Sequence, residues 1–366
     1  MTGTTFFTRK STGPACKSSA RPGRGLALAL ATGIAVLMGA CAPTIRAPGE
    51  PIHAPRLDAD SFRAADGEVL AVKSWGNKNG GNKTKAVLIA LHGFNDYSNF
   101  FTEPGAFLAD HGIRTYAYDQ RGFGASAHPG LWPGVMALSD DLKAFVGVVR
   151  ERHPGLPLYL LGESMGGAVI MVAAQTGPKD NSLPVNGVIL SAPAVWGRIT
   201  MPWYQRLALW IGVHTMPGVT LTGQGLNIKP SDNREMLLAL GRDPLVIKAT
   251  RIDAIYGLVN LMDSALEKAA SFRQPALILY GAKDEIIPHR PTRIMLERLP
   301  EAARGRQRIA LYKDAYHMLL RDLKAEIPWR DIAGWIEDPN KPLASGADID
   351  SRTRLNDMTE RAKKTP

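Results

Sequence analysis

The stretch YLLGESMGGAV, from Tyr159 to Val169, places one serine in an otherwise apolar segment. A glycine lies two residues before Ser164 and another lies two residues after it. A lone serine among glycines is most often part of a turn. Here the apolar run before the serine predicts a buried strand, and the run after it predicts a helix. The stretch therefore indicates a sharp strand-to-helix turn with Ser164 at its centre.

Further short apolar runs occur on both sides of this stretch. Nearly continuous apolar runs are typical of parallel strands that helices cover on both faces. The first stretch overlaps the run PLYLLGES (157–164). The further runs are AVLIALHG (86–93), RTYAYDQRG (114–122), NGVILSAP (186–193), PALILYGAKD (275–284) and QRIALYKDAYH (307–317). Helical patterns lie between several of them, and residues 61–75 alternate around Asp66-Gly67 as in a hairpin. We predict an α/β fold whose sheet is parallel apart from its first strands.

Residues 195 to 270 interrupt the alternation, because they contain helical patterns and no strand pattern. An insertion of this length at the carboxyl edge of the sheet predicts a helical cap over the site. Four apolar residues of the cap recur at near-helical spacing, Trp203, Leu207, Trp210 and Ile211. This stripe either packs on the domain below it, or lines an entrance for an acyl chain or rests on a membrane surface.

Gly-x-Ser-x-Gly between a strand and a helix is the context of a nucleophile elbow. At such a turn, side chains in place of Gly162 and Gly166 would collide with the neighbouring strand and helix. The turn presents the hydroxyl of Ser164 above the carboxyl edge of the sheet and points the start of a helix at it. The alternative is a glycine-rich turn without chemistry.

A serine hydroxyl needs a base, and the base needs an acid that orients it. In the chain order nucleophile, acid, histidine, Asp284 at the end of one strand run and His317 after the last run are the candidates. Glu285 and Asp314 are competing carboxylates close to them. For the other histidines a surface or loop role is favoured.

The oxyanion of an acyl-transfer reaction needs two hydrogen-bond donors. The N–H of Met165, directly after the nucleophile, is one candidate. The second is the N–H of Phe94 in LHGFND, where Gly93 lets the backbone approach closely. His92 is expected to shape this loop by hydrogen bonding.

HGFNDYSNF, YDQRGFGAS, LLGESMGGAV, LSAPA, YGAKDEIIP and the segment around His317 together resemble the monoacylglycerol lipase and lysophospholipase branch of the α/β-hydrolase superfamily, sometimes grouped with serine aminopeptidases. The resemblance covers about residues 57 to 338. It implies a serine hydrolase of carboxylic esters, with a mostly parallel central sheet, helices on both faces and a helical cap inserted after strand 6. It implies no cofactor or metal, and it leaves the substrate open. A peptidase or amide hydrolase of this fold, and a catalytically silent binding lipoprotein, are the alternatives.

The amino-terminal residues predict export. Five basic residues precede the apolar run LALALATGIAVLMGA (26–40), which is too short to span a bilayer comfortably. The following segment LMGAC resembles the lipobox of bacterial lipoproteins, which implies a lipid on the thiol of Cys41. The other cysteine, Cys16, lies in the part to be removed, so Cys41 has no disulfide partner. Ordinary secretion or an uncleaved anchor is the alternative.

The predicted divisions are therefore a signal peptide (1–40), a Pro-rich tether (41–56), the hydrolase core (57–194 and 271–338), the cap (195–270) and a polar, poorly ordered tail (339–366). The predicted location is the cell envelope, as a membrane-anchored lipoprotein on the periplasmic face. Ala42 after the cysteine favours the outer membrane where the host has one.

Half of the net charge of +10 lies in the leader. Since the rest contains no basic patch with interleaved aromatic residues, nucleic acid is not a predicted partner, and the sequence leaves the oligomeric state open.

Overall fold

The computed structural model describes residues 1–5, 42–76, 83–174 and 183–364. The predicted signal peptide is described only at its first five residues, and Cys41 lies outside the described residues. Residues 1–42 and 43–366 form two separate units. The first five residues are exposed and lack regular structure. Within the described ranges, no helix is long and apolar enough to cross a membrane.

The second unit is built on one large sheet. Nine described strands form it, in the order β1-β2-β3-β5-β4-β6-β7-β10-β11. The central strands are Val69–Trp75 (β3), Ala86–Leu91 (β4), Ile113–Tyr118 (β5), Leu158–Glu163 (β6) and Gly187–Ser191 (β7). The outer strands are Arg56–Leu57 (β1), Ser61–Arg63 (β2), Ala276–Gly281 (β10) and Gln307–Tyr312 (β11). The pairs β1–β2, β2–β3 and β3–β5 are antiparallel. The pairs β5–β4, β4–β6, β6–β7, β7–β10 and β10–β11 are parallel. This confirms the predicted α/β fold.

Every residue of β4, β6 and β10 is buried. Because alternate side chains of a strand point to opposite faces, helices must cover both faces of the sheet. The helices are Thr102–Asp110 (α1), Val135–Arg152 (α2), Met165–Ala173 (α3), Trp203–Thr215 (α4), Arg234–Arg242 (α5), Ile252–Lys268 (α6), His289–Arg298 (α7), Glu326–Glu337 (α8) and Ser351–Lys364 (α9), with 3-10 turns at Ser98–Phe101, Ala269–Ser271 and Glu301–Arg306. Helices α2, α3 and α6 pack on one another, as do α1 and α8.

The cap differs from its prediction in two respects. It contains a two-stranded antiparallel sheet, Thr220–Thr222 (β8) and Ala249–Arg251 (β9), where no strand was expected. Strands of three mainly exposed residues carry too short a pattern to be recognised from sequence. Helix α6, which was assigned to the cap, packs on α2 and α3 and belongs to the core. The cap insertion thus ends near Arg251.

The predicted tether is not free chain. The backbone N–H of Thr44 donates to Asp253 at 3.2 Å, and that of Arg46 donates to the carbonyl of Trp132 at 2.8 Å. Further on, Ile52 donates to the carbonyl of Ala65, and β1 pairs with β2. Proline lacks the N–H, but the residues between the prolines keep theirs and use it. The segment from Thr44 onward is therefore fastened to the domain.

The tail beyond residue 339 is ordered, contrary to the prediction. Leu343, Ala347 and Leu355 are buried, and the N–H of Leu311 in β11 donates to the carbonyl of Ala347 at 2.8 Å. Helix α9 packs on α7. A few apolar side chains at suitable spacing anchor this segment, although its average composition is polar.

Candidate active site

The strand-to-helix turn at Ser164 has the predicted geometry. Ser164 separates β6 from α3 and adopts φ 48° and ψ −111°, a strained conformation for a residue with a side chain. A Cβ on Gly162 would lie 2.5 Å from the backbone of α3, and one on Gly166 would lie 2.2 Å from the carbonyl oxygen of Leu91 in β4. Both glycines are thus required by the close approach of backbone that the turn produces.

Asp284 and His317 meet at the same edge of the sheet. Asp284 follows β10, His317 follows β11, and Nδ1 of His317 lies 2.9 Å from Oδ2 of Asp284. The other oxygen, Oδ1, accepts the backbone N–H groups of Ile286 and Ile287 at 2.8 and 2.9 Å. Because a carboxylate can only accept, Nδ1 carries the proton and Nε2 is left as an acceptor. The imidazole of His317 therefore has the tautomer that a general base at Nε2 requires.

Gly281 allows this meeting. It ends β10, and a Cβ there would lie 2.3 Å from the carbonyl oxygen of Tyr316 and 2.5 Å from that of Ala315. The N–H of Tyr316 also donates to Asp322 at 2.8 Å. These contacts hold the loop that carries His317 against the end of β10, and sequence reasoning missed them.

The competing carboxylates face elsewhere. Glu285 accepts the backbone N–H of Lys229 at 2.7 Å. Asp314 pairs with Lys283 and Lys324 on the surface. Neither is within hydrogen-bonding distance of His317 among the described contacts, whereas Asp284 is.

His317 is 5% exposed. Burial alone would lower the pKa of its imidazole, but the charge and hydrogen bond of Asp284, with smaller contributions from Glu163 and Asp322, raise the pKa above its ordinary value. The imidazolium form is thus stabilised by surrounding carboxylates, which suits a group that must accept a proton during a reaction.

The loop after β4 lies at the same edge. Ring contacts of Phe94 with Phe123 and Trp132 hold its side chain, at centroid distances of 5.6 and 6.3 Å. Asn95 joins the loop to the cap, since it donates to Thr250 at 2.7 Å and accepts the N–H of Ile247 at 3.0 Å. The loop bearing the N–H of Phe94 is therefore fixed from both sides.

His92 has the shaping role that was expected. Its Nε2 accepts the backbone N–H of Gln120 at 3.0 Å, so Nδ1 is the protonated nitrogen and donates to the carbonyl of Gly93 at 2.8 Å. Burial lowers the pKa of this imidazole. With both nitrogens engaged, His92 is a neutral structural residue.

The other candidate donor is the N–H of Met165, the first residue of α3. The first N–H groups of a helix have no partner within the helix, and they are directed towards its amino-terminal end, where Ser164 lies. The loop at Phe94 and the start of α3 thus lie at the sheet edge that carries Ser164, and their N–H groups stay the predicted donors.

The apolar stripe of the cap is exposed. Trp203 and Trp210 are 73% and 53% exposed, and Leu207 and Ile211 are exposed as well. Helix α4 packs downward through Gly212 and Val213 instead. Of the two alternatives for the stripe, packing on the domain is thus not the arrangement found.

Glu163 is a site residue that sequence reasoning missed. It ends β6, immediately before Ser164, and is 3% exposed. The sequence did contain a signal, because Glu163 is the only Asp, Glu, Lys, Arg or His in the apolar stretch from Tyr159 to Val169.

A mostly parallel sheet with a serine elbow after one strand, and an acid and a histidine after the last two, defines an α/β-hydrolase. Residues 82–324 match the model of the family described as serine aminopeptidase, S33, and the chain belongs to that family.

Several characterised proteins are similar to this chain. Monoacylglycerol lipase of Mycolicibacterium smegmatis is 26% identical over 267 residues, covering 69% of this chain and 88% of that protein. Monoglyceride lipase of Homo sapiens is 25% identical over 283 residues, covering 75% and 88%. A soluble variant of monoglyceride lipase from Saccharomyces cerevisiae, solved with a substrate analogue, superposes with a TM-score of 0.63 at 21% identity, over 81% of this chain and 98% of that one. The last comparison shows the fold.

Proposed function

We propose that the protein hydrolyses carboxylic esters of monoacylglycerol or lysophospholipid type, with Ser164 as nucleophile, His317 as general base and Asp284 as the acid that orients it. The observation that carries this proposal is the 2.9 Å hydrogen bond between His317 and Asp284, at the sheet edge where Ser164 occupies its strained turn. The relatives named as monoacylglycerol lipases support the choice of esters.

In the proposed mechanism, Oγ of Ser164 attacks the ester carbonyl carbon while its proton moves to Nε2 of His317. Asp284 holds the imidazole in the tautomer with a free Nε2. The tetrahedral intermediate collapses, and the leaving alcohol takes the proton from Nε2. Water then attacks the acyl-enzyme and gives a proton to Nε2 of His317. The second tetrahedral intermediate collapses, Nε2 returns this proton to Oγ of Ser164, and the carboxylic acid leaves. The N–H groups of Phe94 and Met165 are the proposed donors to both oxyanions.

The cap supports a lipid as substrate. Aromatic side chains with an apolar body and a polar tip are suited to the boundary between water and lipid. Trp203, Tyr204 and Trp210 present such groups on the exposed face of α4. An enzyme that takes single-chain lipids from a surface would use this face for access to the site.

The family description keeps a peptidase as the second candidate. A pure binding protein is the third, although a buried and hydrogen-bonded acid–histidine pair next to an elbow serine has no evident use in binding alone.

One experiment separates the three candidate functions. Purified protein is treated with a fluorophosphonate probe and assayed with p-nitrophenyl esters from acetate to palmitate, beside aminoacyl-nitroanilides. Labelling with ester turnover is expected. Anilide turnover without ester turnover would indicate a peptidase, and absence of labelling would indicate a silent protein.

We further propose that Cys41 carries a lipid and holds the enzyme in the cell envelope. The motif LMGAC and the absence of a second cysteine in the predicted mature chain support this. Only Ala42 and Pro43 separate Cys41 from Thr44, the first residue with a described contact to the domain.

Replacement of Cys41 by serine is therefore expected to move the protein from the membrane fraction to the soluble fraction, because the hydroxyl does not accept the lipid. The measurement is membrane fractionation followed by immunoblotting, with Cys16→Ser as control, since that residue lies in the part to be removed. Unchanged membrane association of Cys41→Ser, with release by neither variant, would contradict lipidation.

A further inference from the structure

Glu163 places a carboxyl group between the histidine and the loop after β4. Its Oε1 lies 3.6 Å from Nε2 of His317, the nitrogen that faces away from Asp284. On the other side, a Cβ added to Gly93 would lie 2.1 Å from Oε2. The carboxyl group thus fills the space that the missing side chain of Gly93 leaves, one residue from Phe94.

This position is costly for an acid. The residue is 3% exposed, and its Oε1 lies 3.6 Å from Nε2 of His317, which is longer than an ordinary hydrogen bond. Burial raises the pKa of Glu163 to about 7. Burial disfavours the charged form of a carboxyl group, so a neutral side chain of similar shape would fill the space at lower cost.

The charged groups around Glu163 come from three loops. After burial, the largest effect on its pKa is that of His317, which lowers it. Asp96, from the loop after β4, raises the pKa, and Arg321, four residues after His317, lowers it. Asp284, from the loop after β10, raises it again. The interaction with His317 is reciprocal, since Glu163 is among the groups that raise the pKa of His317.

We propose that Glu163 is a positioning residue that stabilises the imidazolium form of His317 at its reactive Nε2 side, a role that rests on the proposed function. Asp284 acts on the Nδ1 side of the ring, and Glu163 acts on the other side. The two carboxylates together bracket the charge that forms on the imidazole.

The proton balance is simple. During acylation the Oγ–H bond of Ser164 breaks, and an Nε2–H bond forms on His317. Glu163 takes no proton in this step. In its ionised form, which predominates above about pH 7, it contributes a negative charge 3.6 Å from Nε2. The Nε2–H proton then passes to the leaving alcohol. During deacylation water gives a proton to Nε2, and this proton returns to Oγ of Ser164 when the acyl–Oγ bond breaks. Glu163 therefore favours both proton acceptances by His317.

The sign of the pH effect follows from this arrangement. A charge that favours imidazolium also raises the pH at which the free enzyme loses its neutral base. Removing the charge should move the acid limb of kcat/KM to lower pH, and it should lower the plateau reached at higher pH. Because Glu163 and His317 interact, the acid limb reports the pair of groups.

The test compares wild type with Glu163→Gln on a short, soluble p-nitrophenyl ester, from about pH 5 to about pH 9. We expect the plateau of kcat/KM to fall about tenfold and the acid limb to move down by about half a unit or more. Glu163→Asp keeps the charge and should restore much of the acid limb. Glu326→Gln removes an exposed carboxylate of α8 and should match wild type.

A residue that only fills space would give a profile lowered equally at every pH. An acid limb of Glu163→Gln that coincides with that of wild type therefore overturns the proposal. Fluorophosphonate labelling of wild type that depends on Ser164 would leave the proposed function standing in that case, whereas absence of labelling would remove the function itself. If circular dichroism shows that Glu163→Gln is unfolded, Glu163→Ala provides the same comparison.

Discussion

Replacement of Ser164 by alanine is expected to abolish fluorophosphonate labelling and to lower kcat for p-nitrophenyl esters by at least about ten-thousandfold. The reason is that no other group can form the acyl-enzyme at this turn. Ser164 lies between two glycines that only the elbow geometry requires, and alanine keeps that backbone while removing the nucleophile. The residual rate would come from binding and from the backbone donors.

Ser191 provides the matched control. It ends β7, its carbonyl accepts the N–H of Ser164 at 2.9 Å, and its own buried hydroxyl has no hydrogen-bond partner among the described residues. Ser191→Ala therefore removes a serine hydroxyl close to the site at little cost in stability. We expect it to label and to turn over ester at nearly the wild-type rate. Labelling that persists in Ser164→Ala would refute the assignment of the nucleophile.

The elbow, the acid and the histidine could be predicted from the sequence because the order of motifs places them. Parallel strands end at one edge of the sheet, so residues that follow the strand runs converge there. Asp284 and His317 follow two such runs, and they lie 2.9 Å apart in the fold. The match of residues 82–324 to the family confirms the predicted class of protein.

Other features could not be predicted, for physical reasons. Strands β8 and β9 are three residues long, and their pairing depends on the chain folding back over about thirty residues. The tail helix α9 is polar on average, and its few buried side chains have meaning only against α7 and β11. The segment at Thr44 is held by Asp253, more than two hundred residues away.

Glu163 is a different kind of omission. The motif specifies glycine, serine and glycine, and the residue before the serine is a variable position in it. The charge became informative only when Gly93 and His317 were seen to enclose it. A lone acid within an apolar stretch is therefore overlooked when only the motif positions are considered.

Replacement of Asp284 by asparagine is expected to lower kcat by about ten-thousandfold while the fold is retained. The two backbone N–H groups of Ile286 and Ile287 donate to Oδ1, so the amide oxygen of the asparagine must take that place. Its NH2 group then faces Nδ1 of His317 and donates to it. Nδ1 can accept only when it is unprotonated, which moves the proton to Nε2 and leaves the base unable to receive the proton of Ser164.

The competing carboxylates test this reasoning within the same chain. Glu285→Gln changes the next residue, and Asp314→Asn changes a surface acid that pairs with two lysines. Both should retain most of the wild-type kcat on p-nitrophenyl esters, with the same fluorophosphonate labelling rate. The thermal midpoint of Asp284→Asn, measured by circular dichroism, checks that the loss is not one of folding. A large loss in either surface variant, together with an active Asp284→Asn, would transfer the orienting role to that carboxylate, and the 2.9 Å contact with His317 is the reason to expect the opposite.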